Sequence, residues 1–325
     1  MSRIIKIGLI GCGAIVEKYH LPVLKKISGV KVHALVDKNL KRIKQLQTQY
    51  QTEKITDDYR QILDEIDIAL IALPNYLHAS VSIDFLRKGV HVFCEKPMAI
   101  NFKEAQKMVK VASLNKRKLG AGMVRRYFEV DQKIKQLLDS NYMGKIKSFE
   151  YEEGFPFSWP LQSTYAFDKK QAGGGVLIDM GAHAIDLIIW LFGKPTKIEY
   201  RDDSRGEIEA NCQIDFRFED ITGKIELSRD RTLRNTFKII GQKGDLEIPS
   251  GGLTNLFIRK NNHQEKFTSS EIFEDCIFKE LSEFVNAVRN NSRLFISGQE
   301  VIDSIKVIDY CYSYKKQIYE PWFEI

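Results

Sequence analysis

The sequence predicts an α/β protein of two domains: a doubly wound parallel sheet comes first, and an α+β domain on a large, mostly antiparallel open sheet follows. The chain has 325 residues, which is more than one hydrophobic core usually supports. Strand and helix patterns alternate in the first part of the chain, and short strands with a two-residue period dominate afterwards. The change falls near residue 123, so we expect domains at 1–123 and 124–325.

The first domain is predicted from β-branched and apolar runs that alternate with helical patterns. A helical pattern follows the first glycine turn as far as Lys26, and Gly89 marks a later helix end. Strands separated by helices of about ten to fifteen residues favour a parallel sheet with helices on both faces. The predicted strands cover residues 4–11, 30–37, 67–73 and 90–97.

The second domain is predicted from a change of period. In "CQIDFRF" at 212–218 every second residue is apolar, as in a strand with one covered face. Two helical patterns close the chain, at 271–290 and 297–316. Unless helices cover it, the open face of such a sheet is a candidate surface for a homo-oligomer. The predicted strands cover residues 145–153, 207–218, 223–229, 235–241, 245–248 and 254–260.

The composition is that of an ordinary soluble protein, with 43% hydrophobic and 28% charged residues. The net charge of +6 is spread among acids, with no basic cluster interleaved with aromatics, so we expect no nucleic-acid partner. No uncharged apolar run reaches the length of a membrane span, and the opening "MSRIIKIGLIG" leads into a glycine turn rather than a cleavage site. Five scattered cysteines favour free thiols and a cytoplasmic protein.

A glycine turn after the first strand is a candidate dinucleotide site. Gly11 and Gly13 stand where a pyrophosphate needs a tight turn and a close backbone approach, but Val16 occupies the third small position. Asp37, at the end of the second predicted strand, is placed to accept hydrogen bonds from ribose hydroxyls, or to cap the following helix. NAD is favoured because a carboxylate repels a 2′-phosphate. The basic residues 38–42 leave NADP use open.

A charged stripe on an apolar helix is the strongest chemical signal. In "GGGVLIDMGAHAID" at 173–186, Asp179, His183 and Asp186 follow i, i+4, i+7 spacing and project from one helix face. Ionisable groups without partners are costly to bury, so this face must be paired, wet or turned to a ligand. A metal site or a structural polar cluster are the alternatives. Lys96 follows another strand, and its bond to Pro97 is a candidate for the cis form.

These motifs together resemble the Gfo/Idh/MocA oxidoreductases. The resemblance rests on "GLIGCGAIVEKYHLP", "VDKN", "ALPNYLHA", "CEKPMAI", "GMVRRYF" and "GGGVLIDMGAHAIDLIIWLFG", which occur in the family's order. It implies an N-terminal Rossmann domain, a C-terminal domain with an open sheet, and catalytic Lys96, Asp179 and His183 at their interface. The cofactor contacts it implies are Gly11, Gly13, Ala14, Ile15, Asp37, Leu73, Pro74, Asn75, His78, Glu95 and Lys96.

The chemistry of these residue types agrees with that implication. Oxidation of an alcohol needs a proton acceptor, and histidine, with an unperturbed pKa of about 6.5, suits that role at position 183. Lys96 can orient the hydroxyl and stabilise a developing alkoxide. We expect Arg126 and Trp159 to contact substrate along with Asp179 and His183. Asp186 is assigned a structural role.

The predicted function is NAD(P)-dependent oxidation or reduction of a sugar, an inositol-like polyol or a nucleotide sugar. The aromatic segment at 155–168 is expected to line the substrate side, although core packing explains it nearly as well. Two alternatives remain: an NAD-sensing regulatory protein, and a redox-neutral lyase or glycosidase that holds NAD tightly. A homo-oligomer, dimer or tetramer, is expected.

Overall fold

The first sheet is formed by six parallel strands. The computed structural model describes residues 3–160, 164–261 and 263–318. The strand order is β3-β2-β1-β4-β5-β6, so the order reverses between β1 and β4, and a crevice opens there at the carboxyl ends of the strands. The strands are β1 (Ile5–Ile10), β2 (Val30–Val36), β3 (Lys54–Thr56), β4 (Ile68–Ile71), β5 (His91–Cys94) and β6 (Leu119–Ala121).

Helices cover both faces of this sheet, as the alternating pattern predicts. The first helical segment starts at Ala14 and is π-helical over Val16–His20, so the valine at the third small position lies where the helix widens. That valine is fully buried. The α-helices of this part are α1 (Leu21–Lys26), α2 (Leu40–Tyr50), α3 (Asn75–Arg87) and α4 (Phe102–Leu114).

The second sheet has nine strands and is mostly antiparallel, which confirms the predicted fold class. Its order is β14-β13-β12-β11-β7-β10-β9-β8-β15, with two parallel pairs, β7–β10 and β8–β15. The strands are β7 (Ile146–Gly154), β8 (Lys197–Asp202), β9 (Asn211–Arg217), β10 (Thr222–Ser228), β11 (Thr236–Gly241), β12 (Gly244–Pro249), β13 (Asn255–Lys260), β14 (His263–Thr268) and β15 (Lys316–Gln317).

A long apolar helix lies against one face of the second sheet. This helix, α7, buries Val176, Leu177 and Ile178 in the same core as Phe149 and Ile225 of the sheet. The stretch Lys169–Phe192, which includes α6 and α7, is long and apolar enough to cross a membrane, yet 67% of its apolar window is buried inside the protein, as in a core helix. The other helices are α5 (Glu129–Asp139), α6 (Lys169–Ala172), α8 (Phe273–Asn290) and α9 (Gly298–Ser313), and α7 itself spans Val176–Phe192.

The last two helices return to the first sheet. α8 contacts α1, and α9 contacts α4 and β6. Val301, Ile302 and Ile305 of α9 belong to the hydrophobic cluster of the first sheet. The chain is therefore closed by helices that join the two sheets and fix the walls of the cleft between them.

Candidate active site

The glycine turn has the shape that a dinucleotide pyrophosphate requires. Gly11 has φ of +88°, and a Cβ there would lie 2.3 Å from the carbonyl oxygen of Ala72, so only glycine fits. At Gly13 a Cβ would meet nothing within 4 Å, so the backbone is open to a ligand. Helical structure begins at Ala14 and Ile15, whose free amides and dipole favour an anion. These residues fit the predicted cofactor.

Asp37 is fixed at the edge of the crevice. Its carboxylate accepts hydrogen bonds from the backbone amides of Cys12 and Asn39, each 2.8 Å long. Arg42, the nearest strong cation, is engaged by the Glu17 carboxylate and the Cys12 carbonyl. Arg42 is thus not free to bind a 2′-phosphate, which favours NAD, and the contact of Asp37 with an adenosine ribose stays a proposal.

Replacing Asp37 with asparagine is expected to reduce the preference for NAD over NADP by about tenfold or more, since hydrogen bonds to a charged group contribute about 1.5–3 kcal/mol. The measurement is KM and kcat with each cofactor. Asp64→Asn, on an exposed carboxylate that pairs with Lys88, is the matched control. An unchanged NAD/NADP ratio in Asp37→Asn would remove Asp37 from the cofactor site.

The turn after β4 is held by a buried histidine. His78 is 1% exposed, and its Nδ1 and Nε2 lie 2.7 Å from the carbonyl oxygens of Pro97 and Leu73. Burial lowers the pKa of His78, against the pull of both carbonyls. The neutral ring donates its one N–H to one of these carbonyls and so helps to position the turn. The contact with the cofactor that the resemblance implies for His78 stays a proposal.

The neighbouring Pro74 and Asn75 start α3 at the cleft. Pro74 precedes the helix with extended backbone, and the Asn75 amide donates to the carbonyl of Ala172, 2.8 Å away. That bond joins the first sheet's domain to the segment before the glycine triplet. Asn75 is therefore an interdomain contact, and its predicted cofactor contact stays a proposal.

Lys96 and Asp179 connect the two sides of the cleft. The Lys96 ammonium lies 2.8 Å from Asp179 Oδ1 and 3.1 Å from the Asp179 carbonyl. The Lys96–Pro97 bond is cis, as predicted. The side chain of Asp179 is 42% exposed, so the pair lies at the surface of the cleft and a ligand can reach it.

A buried carboxylate caps the helix that carries Asp179. Glu209 accepts hydrogen bonds from the amides of Gly175 and Leu177, 3.0 and 2.9 Å long, and from the Tyr312 hydroxyl at 2.8 Å. A Cβ at Gly175 would lie 1.9 Å from the Glu209 carbonyl oxygen. The glycine triplet is thus needed for close approach, and the cap fixes the first turn of α7.

Glu95 has a partner that the sequence did not indicate. His20 is fully buried in the π-helical turn, and its Nε2 lies 2.9 Å from Glu95 Oε1, without the angle of a good hydrogen bond. His20 outweighs burial and holds the pKa of Glu95 below its usual value. A Cβ at Gly122 would lie 3.0 Å from the same carboxylate. Glu95 is therefore an anion held beside Lys96.

His183 lies one turn beyond Asp179, with an unsatisfied ring nitrogen. Its Nδ1 is buried and has no hydrogen-bond partner among the described residues. Burial, with the charges of Lys96 and Arg125, holds the pKa of His183 well below its usual value. The shift arises because the ring is desolvated beside two cations. The imidazole is neutral and able to accept a proton.

The protonation states of Lys96 and Asp179 leave His183 as the proton acceptor of the site. Burial lowers the pKa of Lys96, but the Asp179 carboxylate outweighs burial and leaves it above its usual value. Lys96 in turn outweighs burial and holds the pKa of Asp179 below its usual value. The lysine stays a cation and the aspartate an anion near neutral pH, so neither is suited to take a proton.

Arg126 and Asp186 do not belong to the cleft. Arg126 donates two hydrogen bonds to Asp186, 2.7 and 2.6 Å long, and both side chains are buried. Trp190 lies beside the guanidinium, 5.9 Å from ring centroid to Cζ. This pairing favours a structural role for both residues, and the predicted contact of Arg126 with substrate stays an untested prediction.

Arg125, the preceding arginine, faces the site. It donates to both carboxylate oxygens of Glu153, 2.8 and 2.7 Å away, and its charge acts on His183. The 3₁₀ turn Val124–Tyr127 sends two consecutive arginines to different partners. Their spacing in the sequence does not indicate which of the two arginines faces the helix that carries Asp179 and His183.

The aromatic segment lies on the side of the cleft formed by the second domain. Trp159 is 43% exposed, so its predicted substrate contact stays a proposal. Burial raises the pKa of Tyr165, and the charges of Lys96 and Asp179 act on the same phenol. Residues 161–163, part of the predicted substrate segment, lie outside the described residues.

A fold that cradles a dinucleotide in one domain, and brings a neutral histidine from the other to the same cleft, is that of a nicotinamide-dependent oxidoreductase. Residues 5–123 match the model of an oxidoreductase family with an NAD-binding Rossmann fold, and residues 132–247 match the GFO/IDH/MocA C-terminal domain. The chain belongs to the GFO/IDH/MocA oxidoreductase family, as the resemblance of its motifs predicts.

Known proteins of this kind match nearly the whole chain. Myo-inositol 2-dehydrogenase of Thermotoga maritima is 22% identical over 91% of this chain and 91% of the relative. Glucose-6-phosphate 3-dehydrogenase of Bacillus subtilis is 28% identical over 76% and 75%. The crystal structure of an aldose-aldose oxidoreductase from Caulobacter crescentus, complexed with glycerol, superposes with a TM-score of 0.86 at 20% identity and covers 96% of this chain and 97% of its own. The fold is that of this crystal structure.

Proposed function

We propose that the protein transfers a hydride between NAD(P) and a secondary hydroxyl or keto group of a sugar, cyclic polyol or nucleotide sugar. The observation that carries this proposal is the bridge between Lys96 and Asp179, 2.8 Å long, beside a histidine whose ring nitrogen lacks a partner. The relatives named above act on an inositol and on a hexose phosphate, which supports a ring hydroxyl as the reacting group.

Three side chains divide the work of alcohol oxidation. NAD(P), held at the glycine turn of Gly11 and Gly13, would supply the acceptor for the hydride that leaves the carbinol carbon. His183 takes the hydroxyl proton as the carbonyl forms, because it is the neutral base of the group. Lys96 donates a hydrogen bond to the reacting oxygen and stabilises the charge that develops there, while Asp179 holds the lysine and binds a neighbouring hydroxyl. Reduction runs through the same groups in reverse.

Turnover with a substrate panel tests this function. The purified protein is mixed with NAD or NADP and with inositols, free sugars, sugar acids and nucleotide sugars, and nicotinamide absorbance is followed. Reduction with at least one polyhydroxylated ring, faster with NAD, is the expected result. Cofactor binding with no reduction across the panel would contradict the proposal and favour an NAD sensor. Conversion of a sugar without net reduction would favour the redox-neutral enzyme.

The pH profile of alcohol oxidation reports on His183. Because the folded protein lowers the pKa of His183, the neutral base persists below the pH at which a free imidazole, with a pKa of about 6.5, is half protonated. We expect kcat/KM for oxidation to stay level as pH falls through 6.5 and to decline only at lower pH. A decline centred at or above that value would contradict the assignment.

We also infer that the protein lies in a reducing compartment, the cytoplasm, because all five cysteines are buried and free.

We further infer that the protein forms a homo-oligomer. The sheet face turned away from α7 presents alternating charges, among them Glu150, Asp215 and Lys224. Light scattering is expected to give a mass of two or four chains, and a mass of one chain would contradict the assembly.

A further inference from the structure

A third arginine near the cleft is buried without a partner. Arg229 directly follows β10 and is 8% exposed. Its Nη2 atom is buried with no hydrogen bond, and its guanidinium makes no ion pair with any of the described residues. The rings of Phe157 and Phe167 lie beside it, with centroids 4.7 and 5.2 Å from Cζ. This is an isolated cation in a largely apolar setting.

The other two arginines near the cleft show what such a group requires. Arg125 binds both oxygens of Glu153, and Arg126 binds both oxygens of Asp186. A buried charge without a partner is strongly unfavourable, and the planar guanidinium is best satisfied by an anion with two oxygens in one plane. The two rings pack edge to face against each other, with centroids 5.4 Å apart, and both lie within cation–π distance of the guanidinium. Arg229 is therefore suited to pair with an anionic group of a ligand.

Arg229 lies on the substrate side of the cleft. Its positive charge acts on Asp179, whose carboxylate is already matched by Lys96. The Arg229 carbonyl accepts a hydrogen bond from the Phe157 amide, 2.8 Å long, so the aromatic segment is attached to it. The glycine turn that fits the cofactor phosphates belongs to the opposite domain. An anion bound by Arg229 would therefore belong to the molecule that meets Asp179 rather than to the cofactor phosphates.

We propose that Arg229 binds an anionic substituent, a carboxylate or a phosphate, on the sugar or polyol that the enzyme oxidises. This proposal rests on the proposed function and narrows its substrate class to acidic sugars. The phenylalanine rings exclude water around the ion pair and contact the apolar face of the sugar ring. Neutral sugars would leave the guanidinium unpaired and bind less tightly.

Matched pairs of sugars test this directly. kcat/KM is measured with glucuronate against glucose, galacturonate against galactose, and glucose 6-phosphate against glucose, for the wild type and Arg229→Gln. Truncating one partner of a buried charged pair typically lowers binding by about 30-fold or more, so that loss is expected for the preferred anionic member. The neutral partner should change by less than about threefold. The uronates and the phosphate identify which anion is bound.

Two controls keep the outcome interpretable. Arg231→Gln removes an equal charge two residues away, from an exposed arginine that pairs with Glu226, and should leave every ratio unchanged. Arg229→Lys keeps the charge without the planar pair of donors and should recover part of the preference. Thermal unfolding and NAD affinity of Arg229→Gln, compared with the wild type, establish that the variant is folded.

Titration calorimetry of the same sugars onto the NAD-loaded protein separates this proposal from the proposed function. Anionic sugars that bind to the wild type and not to Arg229→Gln support the anion site even if no hydride is transferred. Equal losses for charged and neutral sugars in Arg229→Gln would show that Arg229 acts only through Asp179. That result, or a wild type that prefers no anionic member over its neutral partner, would overturn the proposal.

Discussion

Replacing Lys96 with methionine is expected to lower kcat for alcohol oxidation by about two to four orders of magnitude. Methionine keeps much of the length of the side chain but removes the charge that the reacting oxygen would meet. It also leaves the Asp179 carboxylate without its partner 2.8 Å away. Stopped-flow measurement of nicotinamide reduction, with each variant saturated in NAD, gives the comparison.

The loss in Lys96→Met should fall on the chemical step. We expect the dissociation constant for NAD to change by less than about threefold, because the glycine turn and Asp37 are untouched. Lys88→Met, on an exposed lysine after α3, is the matched control and should turn over normally. Near-normal kcat in Lys96→Met would show that the interdomain pair is structural.

Replacing Arg126 with methionine is expected to lower the free energy of unfolding by about 3–5 kcal/mol, because it leaves the buried Asp186 carboxylate uncompensated. The double variant Arg126→Met with Asp186→Leu should recover most of that loss, since it removes both charges together. Chemical denaturation of the three proteins measures the coupling.

The same variants separate a structural role of Arg126 from substrate contact. Arg60→Met, on an exposed arginine that pairs with Asp58, should change stability far less. At temperatures where Arg126→Met is folded, its KM for substrate should match the wild type. A raised KM with unchanged stability would restore the substrate contact that the sequence predicts.

The parts of the fold that could be predicted are those with strong apolar periodicity. The four long patterns of the first half and six of the second contain observed strands. Five strands were not predicted. β3, β6 and β15 are two or three residues long, β14 is exposed along most of its length, and β8 has only two apolar residues among six, so none of them carries a strong apolar pattern. Short and exposed edge strands depend on their neighbours for pairing rather than on their own sequence.

The residues of the candidate site could be predicted where they lie on a single helix or directly after a single strand. Asp179 and His183 share a helix face, and Lys96 follows a strand end, so local geometry suffices for them. His20, Arg125 and Arg229 reach the cleft from a π-helical turn, a 3₁₀ turn and a strand end that long-range packing brings together. Because these residues are far apart in the sequence, no local pattern indicates that they lie close together in the fold.

Transfer of deuterium from substrate to nicotinamide tests the central claim most directly. A substrate found in the panel is labelled at the carbinol carbon and incubated with NAD and either wild-type protein or His183→Ala. We predict that the wild type places one deuterium on the nicotinamide ring of released NADH, and that His183→Ala does so about a hundredfold more slowly or worse. Product formed without labelled NADH, or equal rates in both proteins, would contradict a hydride-transfer site built from Lys96, Asp179 and His183.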